Sequence, residues 1–406
     1  SQSILFDAFT PEDRPIASGL FGMGIVLGPT LGPTVGGFII EHFSWPLIFM
    51  INIPIGIIAT ILAYSFVEKK PGEGKRKESI HIDYNGIILL AAGIGCLQYV
   101  LERGEAEDWF SSSSIRICSI VAAVGLVSFV IYELSIKNPA VNLKVLGNRN
   151  LAFTTLFTFV AGFGLFTSVF VYPVLAQRVL GYTAYETGLS LLPPTLMGVI
   201  MMPIIGKTLS KGTPALPFVI TGFSLFALYA LMSANVSPDV SRWDFFPALA
   251  VRAFGISMVQ LPLISQAVAG LQPKDYAAGI SLNNMTRQLG GAFGIAVANN
   301  YIANQYARHR TDLVSTLTPG SAELTNRIGA LSRGIITQTG DSVTAAGKAI
   351  TVINAAVDKQ AYYLSYLDTF RLIAVFFIAV IPLVIFLRGK KKEVTPAAAA
   401  AIAEAH

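Results

Sequence analysis

Two arginines stand where an arginine is costly. Arg252 lies about seven residues into the charge-poor window 245–268, and Arg287 about ten into the window 277–301; neither window contains an acid. An ionisable group at such depth in an apolar segment usually does something, because hydrocarbon penalises its charge. A cation facing a cavity can tune the pKa of a proton carrier or meet an anionic group. For Arg252 that role stands beside a simpler one, an arginine satisfied by carbonyls, by Gln260 or by Asn side chains; for Arg287 a structural role is expected. Carboxylates able to carry a proton are few. Asp7 closes the first apolar stretch and Asp368 opens the last, where Arg371 at i+3 is placed to form an interfacial ion pair with it. Gln260, Asn283, Asn284 and Gln288 are amides inside apolar windows. Phe159, Phe163, Phe166 and Phe170 recur at helical spacing, a pattern that suits an aromatic cavity or plain packing.

Bond-making chemistry has no comparable signature. There is no P-loop. The four histidines (His42, His81, His309, His406) are scattered, and Cys96 and Cys118 sit in apolar stretches, so neither a metal cluster nor a disulfide framework is expected. No cofactor is expected either.

The elements that must hold these groups are membrane helices. Charged residues make up 13% of 406 residues, against roughly 25% in soluble domains, and mean hydropathy is +0.60. The net charge of +5 is not a basic face on a polar body, which excludes a nucleic-acid binder. Windows near the 20 residues needed to cross hydrocarbon fall at 17–40, 46–67, 84–101, 117–132, 151–176, 187–206, 214–233, 245–268, 277–301 and 367–387. At 117–132, flanking Arg116 and Glu133 are expected to snorkel to the interfaces. Alternate short loops carry sixteen Lys and Arg against four on the other side (Arg103, Arg116, Arg178, Arg242). That asymmetry puts the C-terminus in the cytoplasm. The segment 302–366 then lies outside. In it Leu324, Ile328, Leu331 and Ile335, then Ile350, Ile353 and Val357, suggest a helical hairpin broken at Gly340–Asp341.

One run stands out: Gly24-Ile-Val-Leu-Gly28-Pro29-Thr-Leu-Gly32-Pro33-Thr-Val-Gly36-Gly37. A four-residue step advances only about 40° around a helix, so Gly24, Gly28, Gly32 and Gly36 form one slowly curling stripe. Small residues so placed admit a second helix at backbone distance, and Pro29 and Pro33 each remove an intrahelical bond. This run resembles the antiporter motif of drug/proton exporters in the major facilitator superfamily. Trp45-Pro46-Leu47-Ile48-Phe49-Met50-Ile51-Asn52-Ile53-Pro54-Ile55-Gly56 is similar to the stretch opening the sixth helix of the fourteen-helix, EmrB/QacA-type branch, with Pro46 where that branch usually has Arg. Pro11-Glu12-Asp13-Arg14 resembles the loop before the antiporter helix. Arg287-Gln288-Leu289-Gly290-Gly291 with Gly294, and Ser365 to Phe370, resemble the branch's last two helices.

The resemblance covers essentially the whole chain. It implies an all-α polytopic membrane protein of major facilitator fold: two six-helix bundles plus a central extra helix pair, with the first three to four helices lying before Ser1. Residues 1–67 would be the rest of the N-terminal bundle, 68–150 connectors and the extra pair, 151–390 the C-terminal bundle with periplasmic loop 302–366, and 391–406 a cytoplasmic tail. It also implies proton-coupled export of hydrophobic or amphipathic compounds by alternating access across a bacterial inner membrane. The alternatives are a dedicated exporter of one metabolite (a siderophore or fatty acid) and a non-transporting receptor on the same fold. The antiporter run (Gly24, Gly28, Pro29, Gly32, Pro33, Gly36, Gly37) would pack across the bundle interface, Asp7 or Asp368 would bear on proton coupling, and Phe163, Phe166, Phe170, Gln260, Asn283, Asn284 and Gln288 would face the substrate. A periplasmic membrane-fusion adaptor with an outer-membrane channel is the implied partner. The proton gradient would be the energy source.

Overall fold

The computed structural model describes residues 14–66, 83–136, 139–237, 243–268, 271–272, 275–317, 321–339 and 342–386. Asp7, the loop before Arg14, most of the basic connector after Phe66, the expected break at Gly340–Asp341 and the tail lie outside the described residues. Among those described, regular structure is helical throughout: α1 (Arg14–His42), α2 (Leu47–Phe66), α3 (Tyr84–Arg103), α4 (Ser113–Ser135), α5 (Arg149–Arg178) and α6 (Ala184–Ser210). Then come α7 (Ala215–Ser233), α8 (Phe246–Val268), α9 (Tyr276–Thr316), α10 (Ala322–Thr339) and α11 (Ser342–Val380), which runs on into a 3₁₀ turn at Ile381–Phe386. Eight of them, α2 to α8 and α11, are long and apolar enough to cross a membrane.

Local chemistry sets the helix ends. Asp83 caps α3 by accepting the Gly86 amide, and Asn148 caps α5 through the amides of Asn150 and Leu151. At α6, Thr183 and Glu186 satisfy each other's backbone amides in a capping box. The α5–α6 turn depends on Gly181 at φ 76°, a conformation that disfavours any side chain.

The C-terminal helices share one aromatic core. Phe226 and Phe377 lie 4.5 Å apart between α7 and α11, Tyr229 meets Phe370 edge-on at 6.0 Å, and Tyr172 meets Phe245 at 5.3 Å. Where helices come closest, glycine makes it possible. On the α5–α9 seam, a methyl on Gly162 would run into the Arg287 carbonyl and one on Gly290 into that of Phe159. α1 lies along α6 in the same way. α3 and α4 cross at Gly93 and Gly125. By contrast α2 buries no residue among the described chain.

One expectation is extended and one changes. The segment after the ninth window holds the expected pair of packed helices, α10 and the start of α11. The pair is not separate from the helices around it: α9 continues unbroken to Thr316, and α11 runs on into its apolar part. Polar side chains do not stop a helix that already has a nucleus and neighbours to pack on. Between them α10 packs on α11, with Leu324, Ile328, Leu331 and Ile335 on its half-buried side. Glu133 does not snorkel either. It is completely buried, and its Oε1 accepts the Val141 amide, because the connector after α4 folds back over the helix end. Arg116 is exposed and bonds to Ser113.

Candidate functional site

A cleft opens among α5, α7, α8, α9 and α11. Its walls are apolar, including Phe223, Phe226, Leu263 and Phe377, and it encloses about 30 Å³ of free space. Polar groups enter it from three helices: Thr158 from α5, Gln260 from α8, and Asn283, Asn284 and Arg287 from α9. Asn283 and Arg287 are four apart and so share one helix face. The glycine seam against α5 fixes where that face points. Pro262, two residues beyond Gln260, has no amide hydrogen for the α8 ladder.

Satisfaction is what distinguishes this ring. Buried polar atoms are nearly always hydrogen-bonded, yet Thr158 Oγ1, Gln260 Nε2, Asn283 Oδ1 and Arg287 Nε are all buried without a partner. Thr158, Gln260 and Asn283 are 5%, 8% and 5% exposed. Four residues that line one apolar cleft, each with a buried polar atom left idle, describe a site that suits a polar guest.

The structure separates the two intramembrane arginines, and only Arg287 departs from expectation. Arg252 is sealed at 4% exposure, with its guanidinium carbon 5.8 Å from the Tyr229 ring centroid. That is cation–π distance. Its Nε and Nη1 have no hydrogen-bond partner. Arg287, expected to be structural, is the one that opens on the cleft. Among the amides, Gln260, Asn283 and Asn284 line the cleft, whereas Gln288 points outward and is exposed. The phenylalanine stripe serves as packing. Phe163 contacts Phe376 at 4.5 Å, Phe159 contacts Phe293 at 5.8 Å, Phe166 lies over Gly291 and Phe170 packs on the aromatic core.

The glycine–proline run divides by face. Gly37 meets the backbone of Ala184 and Tyr185, and the backbone of Pro33 and Thr34 meets Gly188, so these residues make the α1–α6 contact. Gly24, Gly28, Gly32 and Gly36 have nothing within 4 Å of where a Cβ would stand, because their stripe runs along the other side of α1. Pro29 lies within α1 beside Gly28.

Asp368 and Arg371 pair at 2.8 Å as their spacing implied. The structure adds His309 from α9, whose Nε2 lies 2.7 Å from the other carboxylate oxygen. Farther along, Arg310 and Tyr306 both donate to Asp358 of α11, and Tyr306 stacks on Tyr362 at 4.0 Å. Sequence reading missed Thr158, although a hydroxyl in an apolar window signals it. It also missed His309, for which spacing offered no signal. Among the described residues no group of three or more His, Cys, Asp or Glu is placed to hold a metal.

The family model described as Major Facilitator Superfamily matches residues 1–295. The chain belongs to the major facilitator superfamily. Among curated members of this superfamily, the multidrug export protein EmrB of Escherichia coli strain K12 is 33% identical over 324 residues, covering 79% of this chain and 62% of that protein. The fatty acid resistance protein FarB of Neisseria gonorrhoeae is 31% identical over 387 residues, covering 95% and 73%. EmrY of Escherichia coli, a probable multidrug resistance protein, is 28% identical over 400 residues, covering 96% and 74%. The chain thus spans a little under two thirds of the EmrB it matches. As a facilitator it is a multi-pass, all-α membrane protein of the EmrB type, and the cleft lies among its helices α5, α7, α8, α9 and α11.

Proposed function

We propose that the protein exports hydrophobic or amphipathic compounds across the bacterial inner membrane, driven by inward proton flow, with its C-terminus in the cytoplasm. The observation that carries this reading is the cleft: apolar walls for varied molecules, and a few unsatisfied polar atoms to orient them. Relatives named for multidrug export and for fatty acid resistance support the same activity. In this reading α1 and α6 form the contact about which two bundles rock. Gly24, Gly28 and Gly32 receive a further helix. Asp368 and Asp7 are the carboxylates nearest to proton traffic. The long extramembrane ends of α9 and α11, with α10, offer the surface for a periplasmic adaptor.

Energised inverted vesicles holding the whole protein test this. Addition of several unrelated amphipathic compounds should partly collapse the pH gradient. An intact gradient in a well-inserted preparation would refute broad export. A dedicated exporter, favoured by the FarB likeness over 95% of the chain, would respond to one compound class only.

A further inference from the structure

We infer that the ring of Thr158, Gln260, Asn283 and Arg287 binds the anionic oxygen head group of an amphipathic substrate, a carboxylate in the simplest case. The assignment names the substrate class of the export site proposed above and rests on that reading. Charge is the first argument. Arg287 stays cationic at any physiological pH, and no Asp or Glu is among the residues that line the cleft with it. An uncompensated cation in an apolar bundle is costly, and an arriving anion relieves that cost. A cationic guest would meet like charge with no carboxylate to receive it.

Donor type is the second argument. Arg287 Nε and Gln260 Nε2 carry hydrogens with nowhere to go, and Thr158 Oγ1 has a free hydroxyl. Oxyanions accept from such donors, and charge-assisted bonds to a guanidinium are the strongest of them. Asn283 Oδ1 is the one idle acceptor and suits a bound water or a protonated substrate group.

Size is the third. About 30 Å³ of free space holds roughly two water-sized spheres, which two carboxylate oxygens would replace. The tail then lies along the apolar walls of the same cleft, with Phe223, Phe226, Leu263 and Phe377 beside the head group.

A matched pair of probes decides the matter: dodecanoate and dodecyltrimethylammonium, with the same tail and opposite heads. Binding is measured calorimetrically on the whole protein in lipid nanodiscs, at a pH where dodecanoate is ionised. Wild type should prefer dodecanoate. Arg287→Gln should lose about 10- to 100-fold for dodecanoate, the range of a charge-assisted hydrogen bond, with dodecyltrimethylammonium bound no more weakly. Arg287→Lys should recover part of the loss. Should Arg287→Gln fail to insert, Gln260→Leu keeps the charge and should still weaken dodecanoate selectively. Equal binding of both probes, preference for the cation, or no change on removing Arg287 would overturn the assignment. Flux is read separately in vesicles. Arg287-dependent binding without gradient-driven flux would refute the export reading and leave the head-group site standing.

Discussion

Replacing Gly188 by alanine should part α1 from α6. A Cβ at Gly188 would stand 2.6 Å from the Thr34 nitrogen, and one at Gly37 2.6 Å from the Tyr185 nitrogen. Unstrained contacts begin near 3.4 Å, so the two backbones must separate by about 0.8 Å (3.4 minus 2.6) at Gly37, and by more at Gly188, whose Cβ would come closer still to Thr34 Cα. A gap of that size along a seam forfeits a quarter to a half of each dispersion well it opens. Overpacking of this kind costs about 1–3 kcal/mol. Gly28→Ala is the comparison, because a methyl there meets nothing within 4 Å and leaves the α1–α6 seam as it is. The assay is thermal unfolding of the purified protein in detergent, with a disulfide engineered across α1 and α6 as a second readout. Gly188→Ala and Gly37→Ala should each lower Tm by several degrees and slow cross-link formation. If both variants melt and cross-link like wild type, the seam is not where these helices bear on each other, and the reasoning is refuted.

Glu133→Gln should keep or raise thermal stability, since it preserves the acceptor for Val141 and replaces an oxygen that has no partner; Glu133→Ala should lower Tm, and equal behaviour of the two would contradict the buried acceptor. At Glu107, hydroxyl donation from Ser112 and then Tyr99 holds the carboxyl below the usual range. Its depressed pKa means the contribution is present above the ordinary value of about 4.3 and fades as pH falls below it. The Tm difference between wild type and Glu107→Gln should therefore shrink between pH 6 and roughly pH 3.5; a gap that widens on acidification would reverse the sign. Asp368→Asn weakens the charge-assisted bonds made by both His309 and Arg371, so amide exchange in residues 305–312 should quicken, and unchanged exchange would remove the latch between α9 and α11.

Much of this architecture could be read from the chain because hydrocarbon imposes a period and a length that few soluble helices mimic. Every apolar window corresponds to a helix, and the 4-3-4 spacing from Leu324 to Ile335 marks the half-buried side of α10. What composition could not supply was direction around each helix. Gln260, Asn283 and Asn284 were recognisable as amides in apolar surroundings, but Gln288, one turn beyond Asn284, points out of the cleft. The glycine repeat was legible as a stripe, yet the α6 contact uses Gly37 on another side of the same helix, because any two helix faces look alike until a partner is known. Arg287 was separated from Arg252 only by packing: the glycine seam turns one into the cleft, and Tyr229 covers the other. His309 and Asp368 are 59 residues apart, a distance no local pattern spans.

The unbroken run of α9 has a mechanical consequence. Its 41 residues make a rod about 62 Å long at 1.5 Å per residue. Arg287 lies on the rod 29 positions before Thr316, so about 44 Å of continuous helix separates the cleft from the C-terminal tip of the rod. A tilt of about 10° about the level of Arg287 would sweep that tip by roughly 8 Å on this rise. α9 is thus a lever arm, which turns a small displacement at the level of Arg287 into a movement the size of a side chain at Thr316.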